Sequence, residues 1–331
     1  MSSISLAPKK SVIRSFMRGL LAVIIPTLVF SIAQIPSAIA QTPVSTVAQW
    51  QQMMRITPTV GFGCFSASYP LPLWHAIPCS EAEAPREVVG NGLDWSAENQ
   101  LASVGFVGYS GWFPSESGYS SESDSQAGNG DYSVQGNSNF YSIVYGGVTT
   151  LAWTQFVFVA NYQQSWSILF IQWWLLGYGA CPGGWTSSGQ DCYMNSAVTP
   201  LQYFGPGSFA SSSTNLDFAG GQSNNGIAVS LCAVPSPGQC WSASGPDTLS
   251  LLQNNNWQDI EWNVFGYCCG SQANFNAGFS LTLDLTPQDN TANDYATFAC
   301  ASHGFTGETN NLNLGTCRAN PAPDMAFTES D

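Results

Sequence analysis

One carboxylate has an unusual setting. Glu261 lies in the stretch Asp259-Ile260-Glu261-Trp262-Asn263-Val264-Phe265, and only 8% of the chain is charged. An acid surrounded by Trp262, Val264 and Phe265 is held toward its neutral form, which suits general acid/base work at low pH. Asp259, two residues earlier, shares its strand face, and two carboxyls about 5–10 Å apart are what a glycosidase needs. Alternatively, Glu261 alone could activate water while a side-chain amide stabilises the oxyanion. The plain structural role is a strand-edge acid bonded to backbone or to Arg. Asp217, Asp284 and Glu308 are the other acids with informative surroundings.

Amides are the natural partners of such an acid. In Tyr132–Phe140 (YSVQGNSNF), alternation puts Ser133, Gln135, Asn137 and Asn139 on one strand face. Unpaired amides are costly in a core, so this face is expected to be a solvated concave surface holding a ligand's hydrogen bonds, or an ordinary exposed face. Gln155 sits within WTQFVF and Gln172 within IQWW, each flanked by aromatics on neighbouring strands. Trp174 shares the face of Gln172. Amides with aromatics grip sugars or peptides, and Trp in strands also fills cores. Peptide and glycan are therefore the expected ligand classes, with Gln135, Asn137, Asn139, Gln172, Trp174 and Asp259 as candidate binding residues around Glu261.

Other chemistries have little support. The two histidines, His75 and His303, lack any GxSxG context. No glycine-rich phosphate cradle joins a strand to a helix, and no CxxC pair suggests zinc. Neither a cofactor nor a metal is expected.

The first forty residues read as an export signal, with a basic start (Lys9, Lys10, Arg14, Arg18), an apolar run from Leu20 to Ile32 and Ala38-Ile39-Ala40 as cleavage site. A secreted, extracellular protein follows. Its loss removes four of seven bases and none of the 21 acids, leaving three Arg, no Lys and a formal charge of 3 − 21 = −18. Nucleic acid is excluded as a partner because nothing neutralises phosphates, and no membrane association is expected after cleavage. The chain is expected to act as a monomer. With so few bases, acid produces little positive charge, so an acidic habitat is one expectation and simple solubility the other.

Ten cysteines in an exported chain argue for disulfides. Proximity pairs Cys64 with Cys79, Cys181 with Cys192, Cys232 with Cys240 and Cys300 with Cys317. Cys268 and Cys269 remain, to bridge each other or to pair elsewhere.

Val44 to Ile56 has a helical pattern, with Val47, Trp50 and Met54 on one face. Gly61 to Pro85 reads as an irregular arm, so residues 41–90 are an N-terminal arm or a removable pro-segment. From residue 91 to 331 short alternating runs between Gly, Ser, Asn and Pro clusters predict about ten strands: 103–113, 132–144, 151–161, 167–178, 209–218, 226–234, 259–265, 279–285, 294–299 and 325–328. The expected fold is all-β, a two-sheet antiparallel β-sandwich of the concanavalin A-like or eqolisin-like jelly-roll kind, stabilised by disulfides.

The stretch Asp259 to Val264 resembles the catalytic-glutamate strand of the acid glutamic peptidases (eqolisins), secreted acid-active β-sandwiches whose catalytic pair is a Glu and a Gln. The resemblance implies Glu261 as general acid/base and Gln155 as oxyanion partner, with Gln172 and Gln135 as substitutes. The family's second acid, three residues past its Trp, is Phe265 here. Across most of the exported chain, GCFSASYP, VGNGLDWSA, CPGGWTSSGQDCYMNS, CCGSQANFNAG and GFTGETNNLNLG are similar to a secreted bacterial group of unassigned function. That similarity implies no activity.

Overall fold

The computed structural model describes residues 46–80, 94–101, 103–164, 166–202, 204, 209, 216–233, 238–268, 270–290, 297–302, 309–319 and 324–331. The expected signal, His303, Glu308 and Cys269 lie outside the described residues, and with Cys269 the pairing of Cys268. Residues Gln41–Asp331 form one compact unit.

One helix opens the described chain, α1 (Val47–Ile56). The Thr46 side chain accepts from the Gln49 N–H at its start, and Trp50 and Met54 are its buried face. The strands are β1 (Gly63–Ser68), β2 (His75–Ile77), β3 (Trp95–Asn99), β4 (Phe106–Ser117), β5 (Glu122–Asp124), β6 (Tyr132–Ser138), β7 (Tyr141–Tyr145), β8 (Val148–Tyr162), β9 (Trp166–Leu176), β10 (Thr186–Ser188), β11 (Asp191–Asn195) and β12 (Thr199–Leu201). There follow β13 (Asp217–Ser223), β14 (Gly226–Ala233), β15 (Gln239–Gly245), β16 (Asp259–Gly266), β17 (Gln272–Phe275), β18 (Ser280–Asp289), β19 (Phe298–Ser302), β20 (Thr309–Asn310), β21 (Asn313–Leu314) and β22 (Met325–Ser330).

Two large antiparallel sheets form the expected sandwich. One has the order β2-β1-β15-β14-β13-β4-β18-β22-β21, the other β10-β11-β9-β8-β6-β16-β3-β19, and a small sheet, β20-β17-β5, is added to them. The arm expected to be irregular contains regular strand. Its residues Gly63–Ser68 pair along their length with β15 inside the first sheet. Trp50, Met54, Phe65 and Trp74 make a second small core over that sheet, against Cys232 and Cys240. β15, QCWSASG, went unpredicted because small polar residues hide its alternation. The expected strand at 132–144 divides into β6 and β7, and most of the one at 209–218 lies outside the described residues.

Period-2 alternation explains the main core. Ile260, Trp262 and Val264 point from β16 between the sheets, where they meet Leu281, Leu283, Leu285 and Phe327 of the opposite layer. Trp262 stacks on Phe113 at 5.5 Å between ring centroids and meets Phe218 at 5.2 Å. Each such ring contributes roughly 1.5–3 kcal/mol on burial. A Cβ at Gly136 would stand 1.7 Å from the Tyr109 hydroxyl, so only glycine lets that ring lie beneath β6. All four expected disulfides are present: Cys64–Cys79, Cys181–Cys192, Cys232–Cys240 and Cys300–Cys317. Among the described residues, no helix is long and apolar enough to cross a membrane.

Candidate functional site: a carboxyl–amide row across six strands

Because Ile260, Trp262 and Val264 face the core, Glu261 and Asn263 must face the other side of β16. Register then decides their neighbours. Glu261 stands opposite Ser96 of β3 on one side and Asn137 of β6 on the other. Asn137 is opposite Gln155 of β8, Gln155 opposite Gln172 of β9, and Gln172 opposite Asn195 of β11. Six polar residues, remote in sequence, thus line up in one row perpendicular to the strands. A second row begins with Asn263 opposite Gln135.

Hydrogen bonds knit the rows together. Asn137 Nδ2 donates to Glu261 Oε2 at 2.9 Å. Gln155 Nε2 donates to Gln135 Oε1 at 2.8 Å, and Gln135 Nε2 to Ser133 Oγ at 2.8 Å. Trp174 Nε1 is shared by Gln155 Oε1 at 2.9 Å and Gln172 Oε1 at 2.8 Å. Gln172 Nε2 donates to Asn195 Oδ1 at 2.8 Å. Trp174 is therefore an orienting donor between two glutamines, packed against Trp153 and Tyr193.

The expectation of a solvated amide face is corrected. Glu261 and Asn137 are fully buried, and Gln135, Gln155, Gln172 and Trp174 nearly so. Burial is tolerated because each of these amides donates to a neighbouring polar side chain. Asn139, half-buried, lies outside the row; its Oδ1 accepts from the Gln258 and Asp259 N–H groups and fixes the chain as it enters β16. Asp259 shares the face of Glu261, two residues before it at the start of β16, and stands opposite Glu98. His75 is exposed, and Asp217 is paired with Arg55 on the other sheet.

The partner that sequence reasoning missed is Asp94. It precedes β3 on the face of Ser96, so it comes to Asn263, whose Nδ2 donates to Asp94 Oδ1 at 2.8 Å. The same Nδ2 donates to Glu329 Oε1 at 2.8 Å, and Asn310 Nδ2 to Glu329 Oε2 at 3.1 Å. Asp94 Oδ2 is buried without a hydrogen-bond partner. Burial pushes the Asp94 carboxyl up to about 6, against the lowering effect of Asn263 and Glu261. Glu329 is pushed up to about 8, first by burial and then by the Asp94 charge. Asp94 gave no signal in sequence, being a single acid 167 positions from Glu261. Glu329 did: alternation of Met325, Phe327 and Glu329 puts an acid on an apolar face.

Chemically, the arrangement is a pair of buried acids, Asp94 and Glu261, with an amide at its side. Asn137 donates to the pair, and its own Oδ1 is buried and unpartnered. Gln155 is held in the row but does not bond Glu261; Asn137 stands between them. Two strand spacings, about 10 Å, separate the Gln155 and Glu261 backbones. Among the described residues, no group of three or more His, Cys, Asp or Glu is placed to hold a metal ion. No family model, curated protein or solved structure matches the chain.

Proposed function

We propose that the chain is a secreted, acid-active carboxyl hydrolase of the glutamic-peptidase-like kind, working as a monomer on peptide substrates without a cofactor. The observation that carries this reading is the buried Glu261, to which Asn137 donates, with the buried Asp94 as a second acid beside it. In such a pair the ionised member takes a proton from water, whose oxygen bonds to the scissile carbonyl carbon. The protonated member then delivers its proton to the leaving amine, so one water is consumed and the pair ends as it began. In this reading Asn137, beside Glu261, holds the developing oxyanion. Four disulfides support an extracellular setting, and carboxyls held toward their neutral forms support acid use. Glu261 is closed to solvent, so substrate entry requires movement on this face.

The test is cleavage of denatured casein between pH 2 and pH 5 by the full chain and by the Gln41–Asp331 unit, each as wild type and as Glu261→Gln. Glu261→Gln is expected to lower the rate by about 10²–10⁴-fold, with an unchanged circular dichroism spectrum. Equal cleavage by wild type and variant, or none by either, removes the peptidase reading.

A further inference from the structure

The opposite sheet carries a different kind of surface. A cleft of about 520 Å³ lies between the end of α1, Trp74 and the outer face of β4, β13, β14 and β15. This is within the usual size of small-ligand sites. Its floor is made of Gly108, Ser110, Ala219, Ala228, Ser230 and Ser242, side chains too small to fill it. Trp74 is a fixed wall, its Nε1 donating to the Thr57 carbonyl at 2.7 Å. Gln222, Asn224 and Gln288 stand at the rim.

We infer that this cleft binds a short neutral oligosaccharide, which lies on the small-residue floor and is held by the side chains of Ser110, Ser230, Gln222 and Gln288. Those four side chains make no hydrogen bond within the protein among the described residues, whereas the floor hydroxyl of Ser242 is already committed to the Val229 carbonyl at 2.9 Å. Uncharged amides and hydroxyls offer paired donors and acceptors of the kind that vicinal sugar hydroxyls require. Charge argues against an anion. Among the described residues Arg55 is the one cation lining the cleft, and it is neutralised by Asp217; the chain carries −14 overall. Topology argues against a peptide. An extended peptide is read through a free strand edge, and β4, β13, β14 and β15 each have a hydrogen-bonded neighbour on both sides.

Isothermal titration calorimetry with cellopentaose, chitopentaose and maltopentaose tests this on the full chain. At least one is expected to bind with a dissociation constant of about a millimolar or tighter. Replacing Gln222 and Gln288 together with Ala should weaken it about tenfold, two hydrogen bonds' worth. Ser110→Leu fills the floor and should abolish binding, while Glu261→Gln should leave it unchanged, because the two sites are on different sheets. The amide variants lie at the surface and keep the fold readable. Absence of binding by all three sugars overturns the inference, as does binding that survives Ser110→Leu. Displacement of a casein peptide, rather than any sugar, by the same variants also overturns it.

Discussion

Two buried acid clusters in this protein solve the same problem differently. In and beside the row, Asp94, Glu261 and Glu329 are interleaved with Asn137, Asn263 and Asn310, and every one of those asparagines donates to a carboxyl. By the β5 turn, Glu122, Asp124 and Asp131 share no such arrangement. Asp124 is saturated, taking the N–H groups of Gln126, Ala127 and Tyr267 and the Ser271 hydroxyl. Asp131 accepts from Asn161. Both oxygens of Glu122 are buried without a partner, and burial, then Asp124 and Asp131, push it up to about 9. Interleaved amides keep a buried acid near the point where it can gain and lose a proton. Without them the acid is simply kept neutral.

The largest expected effect comes from removing the amide that serves two acids. Asn263→Leu should destabilise by about 1.5–3 kcal/mol at pH 7, where Asp94, at about 6, is ionised and Glu329, at about 8, is mostly neutral, since a hydrogen bond to one charged group contributes about that much. The loss should shrink at pH 4, where the acids are neutral. Urea unfolding at the two pH values measures it, and equal losses would break the distinction between the clusters.

A smaller effect of opposite sign is expected at the β5 turn. Asp94, Glu122 and Glu329 all titrate higher in the folded chain, at about 6, 9 and 8. Below about pH 4 both states are protonated and these groups are neutral toward stability. As pH rises, the unfolded chain ionises first, so stability falls until each folded group ionises in turn. The protein should therefore be more stable at pH 4 than at pH 8. Glu122→Gln should recover about 1–3 kcal/mol at pH 8 and change little at pH 4. A wild-type urea midpoint that rises with pH over this range contradicts the assignment.

The smallest effect concerns coupling. Asp94→Asn removes the charge that raises Glu329, so the Glu329 carboxyl should titrate lower, by less than about one unit. Carbon-13 NMR of the glutamate carboxyls reads this directly, and an unmoved Glu329 titration would mean the two acids do not sense each other.

The fold was legible where apolar residues alternate. β8, β9, β14, β16 and β18 announce themselves by Trp, Phe, Val, Ile and Leu at every second position. β1 and β15 do not, because Ser, Ala and Gly make up much of them, and their membership in the sheet depends on partners far along the chain. Glu261 was legible from its setting, and so were the amide faces of β6, β8 and β9. Their neighbours were not. β16 enters between β6 and β3, which are themselves consecutive in neither sheet order nor sequence, and only that insertion brings Asn137 and Asp94 to Glu261. The solvation of the amide face was misread because sequence shows which groups need hydrogen bonds and not who supplies them.

The row's geometry has a consequence for kinship. Its members come from six strands, and their alignment depends on strand register alone. Loops between those strands can lengthen, shorten or be exchanged without moving a single atom of the row. Distant relatives of this protein would then keep the row while sharing no fixed interval between its residues. They would be recognised by which residues face one another across the sheet, and a linear pattern would pass over them.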